Sequence, residues 1–93
     1  MKMKKYNING KDYYIKNEIV LPTNFDEDSL YIKLRTYSIY RFMSNEKGWI
    51  NFININNSRN IMSVNADNRF AWTEIRKVFS INAIRSKKIK KLL

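Results

Sequence analysis

The clearest periodicity in the chain lies in residues 3–16. Lys-Lys-Tyr-Asn-Ile and Lys-Asp-Tyr-Tyr-Ile-Lys flank Asn9-Gly10. That dipeptide suits a type I′ hairpin turn, which needs positive φ at both central positions. Pairing across it sets Ile8 opposite Lys11, Tyr6 opposite Tyr13 and Lys4 opposite Ile15. Tyr6, Ile8, Tyr13 and Ile15 then share one face, a candidate core, while Lys5, Asn7, Asp12, Tyr14 and Lys16 share the other. The second strand is expected to run on through Ile19-Val20-Leu21 to Pro22, which cannot donate to a ladder. Residues 23–29 read as a loop holding Asp26, Glu27 and Asp28.

Residues 30–43 carry two patterns at once. Helical spacing at 30, 33, 34, 37, 38, 41 and 42 collects four apolar residues in seven, and strict alternation from 30 to 42 collects five. Ile, Thr and Tyr favour a pleated surface, so the strand is preferred. A polar turn at Ser44–Gly48 follows, then a strand over Trp49–Asn56, a turn at Asn56–Asn60 and a short strand at Ile61–Val64. Ala66-Asp67-Asn68 looks like the start of a helix beginning near Phe70 and continuing to Leu92, with Ile75, Val78 and Phe79 facing the core. The expected fold is α+β: a small antiparallel sheet of four to five strands with a basic C-terminal helix, in one domain over residues 1–93.

The apolar phase shifts after Ser80-Ile81-Asn82, which permits a helix-turn-helix with Thr73–Phe79 as first helix, Ser80–Asn82 as turn and Ala83–Leu92 as recognition helix. Aligned that way, Ile75, Phe79, Ile81 and Ile89 fall on the positions such units bury, but Arg76 and Ser86 do not. The order of strands then helix also resembles the layout of small β-β-β-α DNA-binding modules, in layout only.

Charge sharpens the functional expectation. Residues 1–25 hold five basic and two acidic side chains, and residues 26–74 hold six of each. Residues 75–93 hold seven basic and none acidic: Arg76, Lys77, Arg85, Lys87, Lys88, Lys90 and Lys91. So concentrated a positive field favours a polyanionic partner. A second candidate surface is the odd-numbered face of the 30–43 strand, where Tyr31, Lys33, Arg35, Tyr37 and Arg41 interleave rings with cations and suit unpaired bases. The bland alternatives are a cationic helix end that complements its own dipole and a solvated outer strand. A membrane-surface role for Lys87–Leu93 is disfavoured, because its apolar side is only three residues.

Composition removes much chemistry. With no Cys and no His there are no disulfides, thiolate nucleophiles, imidazole bases or usual zinc sites. Gly10 and Gly48 stand alone, so there is no phosphate-cradling glycine loop. Asp26, Glu27 and Asp28 are consecutive, whereas metal-dependent phosphoryl chemistry needs ligands converging from separated elements. Trp49 and Trp72 read as core anchors. No apolar run of signal-peptide length follows the basic start, and none approaches a membrane span.

Thirteen Ile, thirteen Asn and twelve Lys against three Ala point to an AT-rich coding genome such as that of a phage or plasmid. The expectation is therefore a non-enzymatic, cytoplasmic nucleic-acid-binding protein, with no cofactor and no metal, contacting phosphates through its C-terminal cations. The alternatives are a small inhibitor or adaptor docking on a nuclease or other nucleic-acid-bearing complex, and a ribosome-associated basic protein.

Overall fold

Turn chemistry builds the sheet two strands at a time. A computed structural model describes residues 3–80. Asn9 and Gly10 take φ of 52° and 81°, which closes β1 (Met3–Ile8) onto β2 (Lys11–Ile19). The register is the expected one, with Ile8 opposite Lys11, Tyr6 opposite Tyr13 and Lys4 opposite Ile15. The same turn recurs at Lys47-Gly48, with φ of 51° and 83°, between β4 (Ser38–Glu46) and β5 (Trp49–Asn54). Strand β4 therefore runs through residues 44–46, where the sequence suggests a turn. β6 (Asn57–Asn65) starts earlier than expected too: Asn54 Oδ1 accepts from the backbone N–H groups of Asn56 and Asn57, and so tightens the connection into a few residues.

The expected strand over 30–43 exists but is split. β3 (Leu30–Lys33) pairs with β4 around a turn at residues 34–37, where Tyr37 adopts φ 53°. The turn resets the alternation. Tyr31 lies opposite Tyr40 and Ile32 opposite Ile39, so each pair shares one face of the sheet.

The larger departure concerns the C-terminal helix. A helix does begin where expected, with Asn68 as its cap, its side-chain oxygen accepting from the backbone N–H of Ala71 at 3.3 Å. It ends after five residues, as α1 (Arg69–Thr73). Ile75–Ser80 is then a strand, β7, inserted between β2 and β3 and antiparallel to both. The fold is not α+β with a basic C-terminal helix; among the described residues it is one seven-stranded antiparallel sheet, ordered β1-β2-β7-β3-β4-β5-β6, with one short helix. The proposed first helix of a helix-turn-helix, Thr73–Phe79, is likewise overturned. The physical reason is hydrogen bonding. β2 and β3 are separated by the loop at 20–29, so each offers an open edge, and a central strand satisfies its donors and acceptors on both sides.

Both faces of the sheet carry core. On one, Tyr31, Tyr40, Phe52, Ile50, Val64 and Ile75 are buried beneath α1 and the loop at 20–29. Trp72 is 1% exposed and donates from Nε1 to the Asn65 carbonyl at 3.1 Å. Phe25 sits at the centre of this layer, its ring 5.2–5.5 Å from those of Tyr31, Phe42 and Phe52. On the other face, Tyr13, Ile15, Ile32, Ile39 and Val78 are buried, with Tyr6, Ile8, Leu30, Leu34 and Ile55 packed around them. Ile75 and Val78, three residues apart, thus belong to different cores. Each fills its own face of one central strand. Among the described residues no helix is long and apolar enough to cross a membrane.

Candidate anion-binding face

Strand alternation sorts the cations by face, and the sorting is uneven. On the side covered by the helix, three lysines meet carboxylates: Lys5 to Asp12 at 3.8 Å, Lys16 to Glu18 at 2.8 Å and Lys77 to Asp26 at 3.2 Å. These pairs are partly exposed and add little stability. Their effect is to cancel three of the charges on that side, leaving Lys33 without an acidic partner among the described residues. Asp26 is the organiser of the acidic loop. Its Oδ1 accepts from the Asp28 backbone N–H at 3.0 Å, and its Oδ2 accepts from Ser29 Oγ at 2.8 Å and from Lys77 Nζ. The backbone N–H, the hydroxyl and the ammonium hold its carboxyl below the usual aspartate value. Lys16 does the same for Glu18, chiefly by hydrogen bonding.

On the opposite face the register places Lys4 opposite Ile15, Lys11 opposite Ile8, Arg41 opposite Leu30 and Arg76 opposite Ile32. None of these four forms an ion pair among the described residues. Four uncompensated cations therefore surround one patch of apolar core.

Arg76 is the unusual member. β7 carries it in the middle of the sheet, where Nη1 donates to the carbonyl oxygens of Thr73 at 2.6 Å and Ile75 at 3.1 Å. Its Nε is shut away from solvent and has no hydrogen-bond partner among the described residues. A buried donor left unsatisfied costs about 1–3 kcal/mol, so it calls for a reason. Arg76 is one of the residues lining a cleft of about 370 Å³ between the β1–β2 hairpin and the turn at 34–37, with Lys4, Tyr6, Asn17, Leu34 and Tyr37. The rings of Tyr6 and Tyr37 meet at 5.7 Å between centroids, tilted by 44°. A cleft of that size, mainly apolar with a few polar groups converging on it, matches the usual small-ligand site.

The residues singled out in the sequence fare differently. Lys77 is on the helix side of β7, bonded to Asp26, with its Nζ 5.5 Å from the Phe79 ring centroid. Arg76, its neighbour, points to the other side and enters the cleft. Arg85, Lys87, Lys88, Lys90 and Lys91 lie outside the described residues, as does the expected break at Ser80–Asn82 beyond Ser80 itself. The second candidate surface is not assembled. Tyr31 is 1% exposed, stacked on Phe25, and its hydroxyl donates to the Asp26 carbonyl at 2.7 Å and accepts from the Asp26 N–H at 2.8 Å. Burial holds the Tyr31 phenol above the usual tyrosine value. Lys33 shares its side of the sheet, Arg35 and Tyr37 sit in the turn, and Arg41 is on the other face. The turn at 34–37 resets the alternation on which that surface depended.

Sequence reasoning overlooked Lys4, Tyr6 and Asn17 as site residues. A signal existed for the first two: the hairpin register already puts Lys4 and Tyr6 on one face with Ile15. Trp49, expected in the core, is 46% exposed. It stands on the cation-bearing face beside a polar ladder in which Asn51 Nδ2 donates to Ser44 Oγ at 3.0 Å and Asn51 Oδ1 accepts from Ser63 Oγ at 2.5 Å. Among the described residues no three acidic side chains converge as a metal site would require. Set against protein-family models, curated proteins and solved structures, the chain matches none.

Proposed function

We propose that this is a non-enzymatic nucleic-acid-binding protein of the cytoplasm, meeting phosphates with the cation-bearing sheet face and with the C-terminal cations. The observation that carries the reading is the segregation of charge. Acids neutralise Lys5, Lys16 and Lys77 on one side, where Lys33 alone of the strand lysines has no ion pair among the described residues, whereas Lys4, Lys11, Arg41 and Arg76 all remain uncompensated on the other. The formal charge of +10 adds long-range attraction, and Arg85, Lys87, Lys88, Lys90 and Lys91 follow Ser80 in sequence with no acid among them. A face of this kind binds phosphates without reading sequence; such contacts position the strand.

The test is fluorescence anisotropy of labelled oligonucleotides across a salt series. On duplex DNA each neutralised phosphate steepens the slope of log K against log salt by about 0.9. Replacing Lys4, Lys11 and Arg41 together with glutamine should therefore flatten the slope by about 2.7. A slope unchanged by the triple substitution removes the sheet face from the contact. Absence of binding at low salt removes the reading altogether. Pull-down from nuclease-treated extract supplies the control for the competing class: a partner that survives nuclease favours a protein-binding inhibitor.

A further inference from the structure

The Ser44–Asn51–Ser63 ladder satisfies its own hydrogen bonds, and Lys77 and Asp26 satisfy each other. The cleft at Arg76 is different because a donor there is left over. A guanidinium has two edges that can grip an oxyanion with paired N–H groups. One involves Nη1, which is here committed to the carbonyls of Thr73 and Ile75. The other is formed by Nε and Nη2, and it is the Nε of this edge that lacks a partner among the described residues. This is the edge suited to bidentate recognition of phosphate. Lys4, on the same face, adds a second cation at the cleft.

The rest of the lining is not what a bare phosphate would need. Tyr6 and Tyr37 present rings in mutual contact, Leu34 adds an apolar wall and Asn17 an amide that can both donate and accept. Rings beside paired N–H donors suit a planar base joined to a phosphate. We infer that the cleft between the β1–β2 hairpin and the turn at 34–37 takes one nucleoside phosphate. Its phosphate lies on the Nε–Nη2 edge of Arg76, with Lys4 alongside, and its base lies against Tyr37 and Tyr6. The inference rests on the nucleic-acid reading and narrows it to a pocket for a single nucleotide. That nucleotide is either free or the phosphorylated end of a strand. Tyr37 is 46% exposed and sits on a turn outside the strand ladders, at the wall of the cleft.

The experiment is a ¹H–¹⁵N titration of the full chain that follows the Arg76 Nε–H signal and the amides of Lys4, Asn17 and Tyr37. The probes are nucleoside 5′-monophosphates, the matching nucleosides, inorganic phosphate, and short single strands with either a 5′-phosphate or a 5′-hydroxyl. The expected result is saturable shifts of the Nε–H and the Tyr37 amide with monophosphates, at lower concentration than with nucleoside or phosphate alone. Competition by the 5′-phosphorylated strand but not by its 5′-hydroxyl twin identifies a strand end. Monophosphate binding with no competition from either strand identifies a free nucleotide. Arg76→Lys keeps the charge and loses the fork, and Tyr37→Asn keeps the left-handed backbone and loses the ring; each should weaken the monophosphate by about tenfold. Tyr37→Asn changes an exposed turn, so it remains informative if Arg76→Lys does not fold. Phosphate alone binding as tightly as the monophosphates overturns the base site, and no shift at millimolar monophosphate overturns the whole inference. Oligonucleotide binding that persists alongside silent monophosphate titrations sinks the pocket and spares the sheet face. Loss of oligonucleotide binding in the unmodified protein sinks the reading beneath both.

Discussion

Ile75→Val and Val78→Ala, made singly and together, test the placement of β7 directly. Both side chains are almost wholly buried, at 1% and 2% exposure, but in different cores on opposite faces of the sheet. Removing one methylene at Ile75 should cost about 1 kcal/mol. Val78→Ala removes about two methylene equivalents, at about 0.8 kcal/mol each, before any cavity is counted. Partial relaxation of Ile15, Ile32 and Leu30 leaves a void worth about 1 kcal/mol more, for a total near 2.5 kcal/mol. Three residues of extended chain place the two sites about 10 Å apart. At that separation the double mutant should lose about 3.5 kcal/mol, with a coupling below about 0.5 kcal/mol. Urea unfolding monitored by tryptophan fluorescence and circular dichroism gives all four corners of the cycle. A helix would behave differently. Residues at i and i+3 would then be neighbours in one core, and Val→Ala would recover some helix propensity. Coupling above about 1 kcal/mol, or a Val78→Ala cost under about 0.5 kcal/mol, would refute the strand assignment.

Three further outcomes follow from particular groups. Burial raises the Tyr31 phenol above 10.0, so the folded state resists ionisation that the unfolded chain permits. Its contribution is complete below about pH 10 and is lost as pH rises through the folded value; the alkaline limb of a pH–stability profile should flatten in Tyr31→Phe, and an unchanged limb would contradict the burial. Asp26 is shifted the other way: its contribution holds above about 3.8 and fades as pH falls through the lowered folded value, so Asp26→Asn should blunt acid unfolding below about pH 3.8. A mutant profile parallel to that of the parent would count against the loop latch. Gly48 has φ 83° and nothing within 4 Å of where a Cβ would stand, so Gly48→Ala should cost about 1–2 kcal/mol from backbone conformation alone. Thermal melts should show Gly48→Asn recovering part of that loss, since Asn tolerates the left-handed region.

Hairpins were the legible part of this fold, because their information is local. At Asn9-Gly10 the turn residues, the alternation and the register all agree, and the observed pairing is the one they imply. At Lys47-Gly48 the turn is the same but its first residue is not a habitual left-handed one, so the sequence suggests a longer loop than forms. Residues 30–43 held the right element type and the wrong face, since a turn inside an alternating run exchanges the two sides. Ile75, Val78 and Phe79 mislead for a deeper reason. A central strand is buried on both faces, so its apolar residues need not alternate, and their spacing imitated a helix.

The candidate site divides in the same way. Composition establishes the cationic excess and the absence of thiol and imidazole chemistry, and the order of residues around Asn9-Gly10 establishes the co-facial placement of Lys4 and Tyr6. Which cations remain uncompensated depends on contacts between distant residues: Asp26 meets Lys77 across 51 positions, and Arg76 reaches the Tyr6–Tyr37 cleft only because β7 slots between β2 and β3. Local periodicity and turn chemistry act over a few residues and write themselves into the chain. The choice of neighbour for a strand is settled by which open edges are left once the hairpins have formed, and that competition exists only in the folded protein.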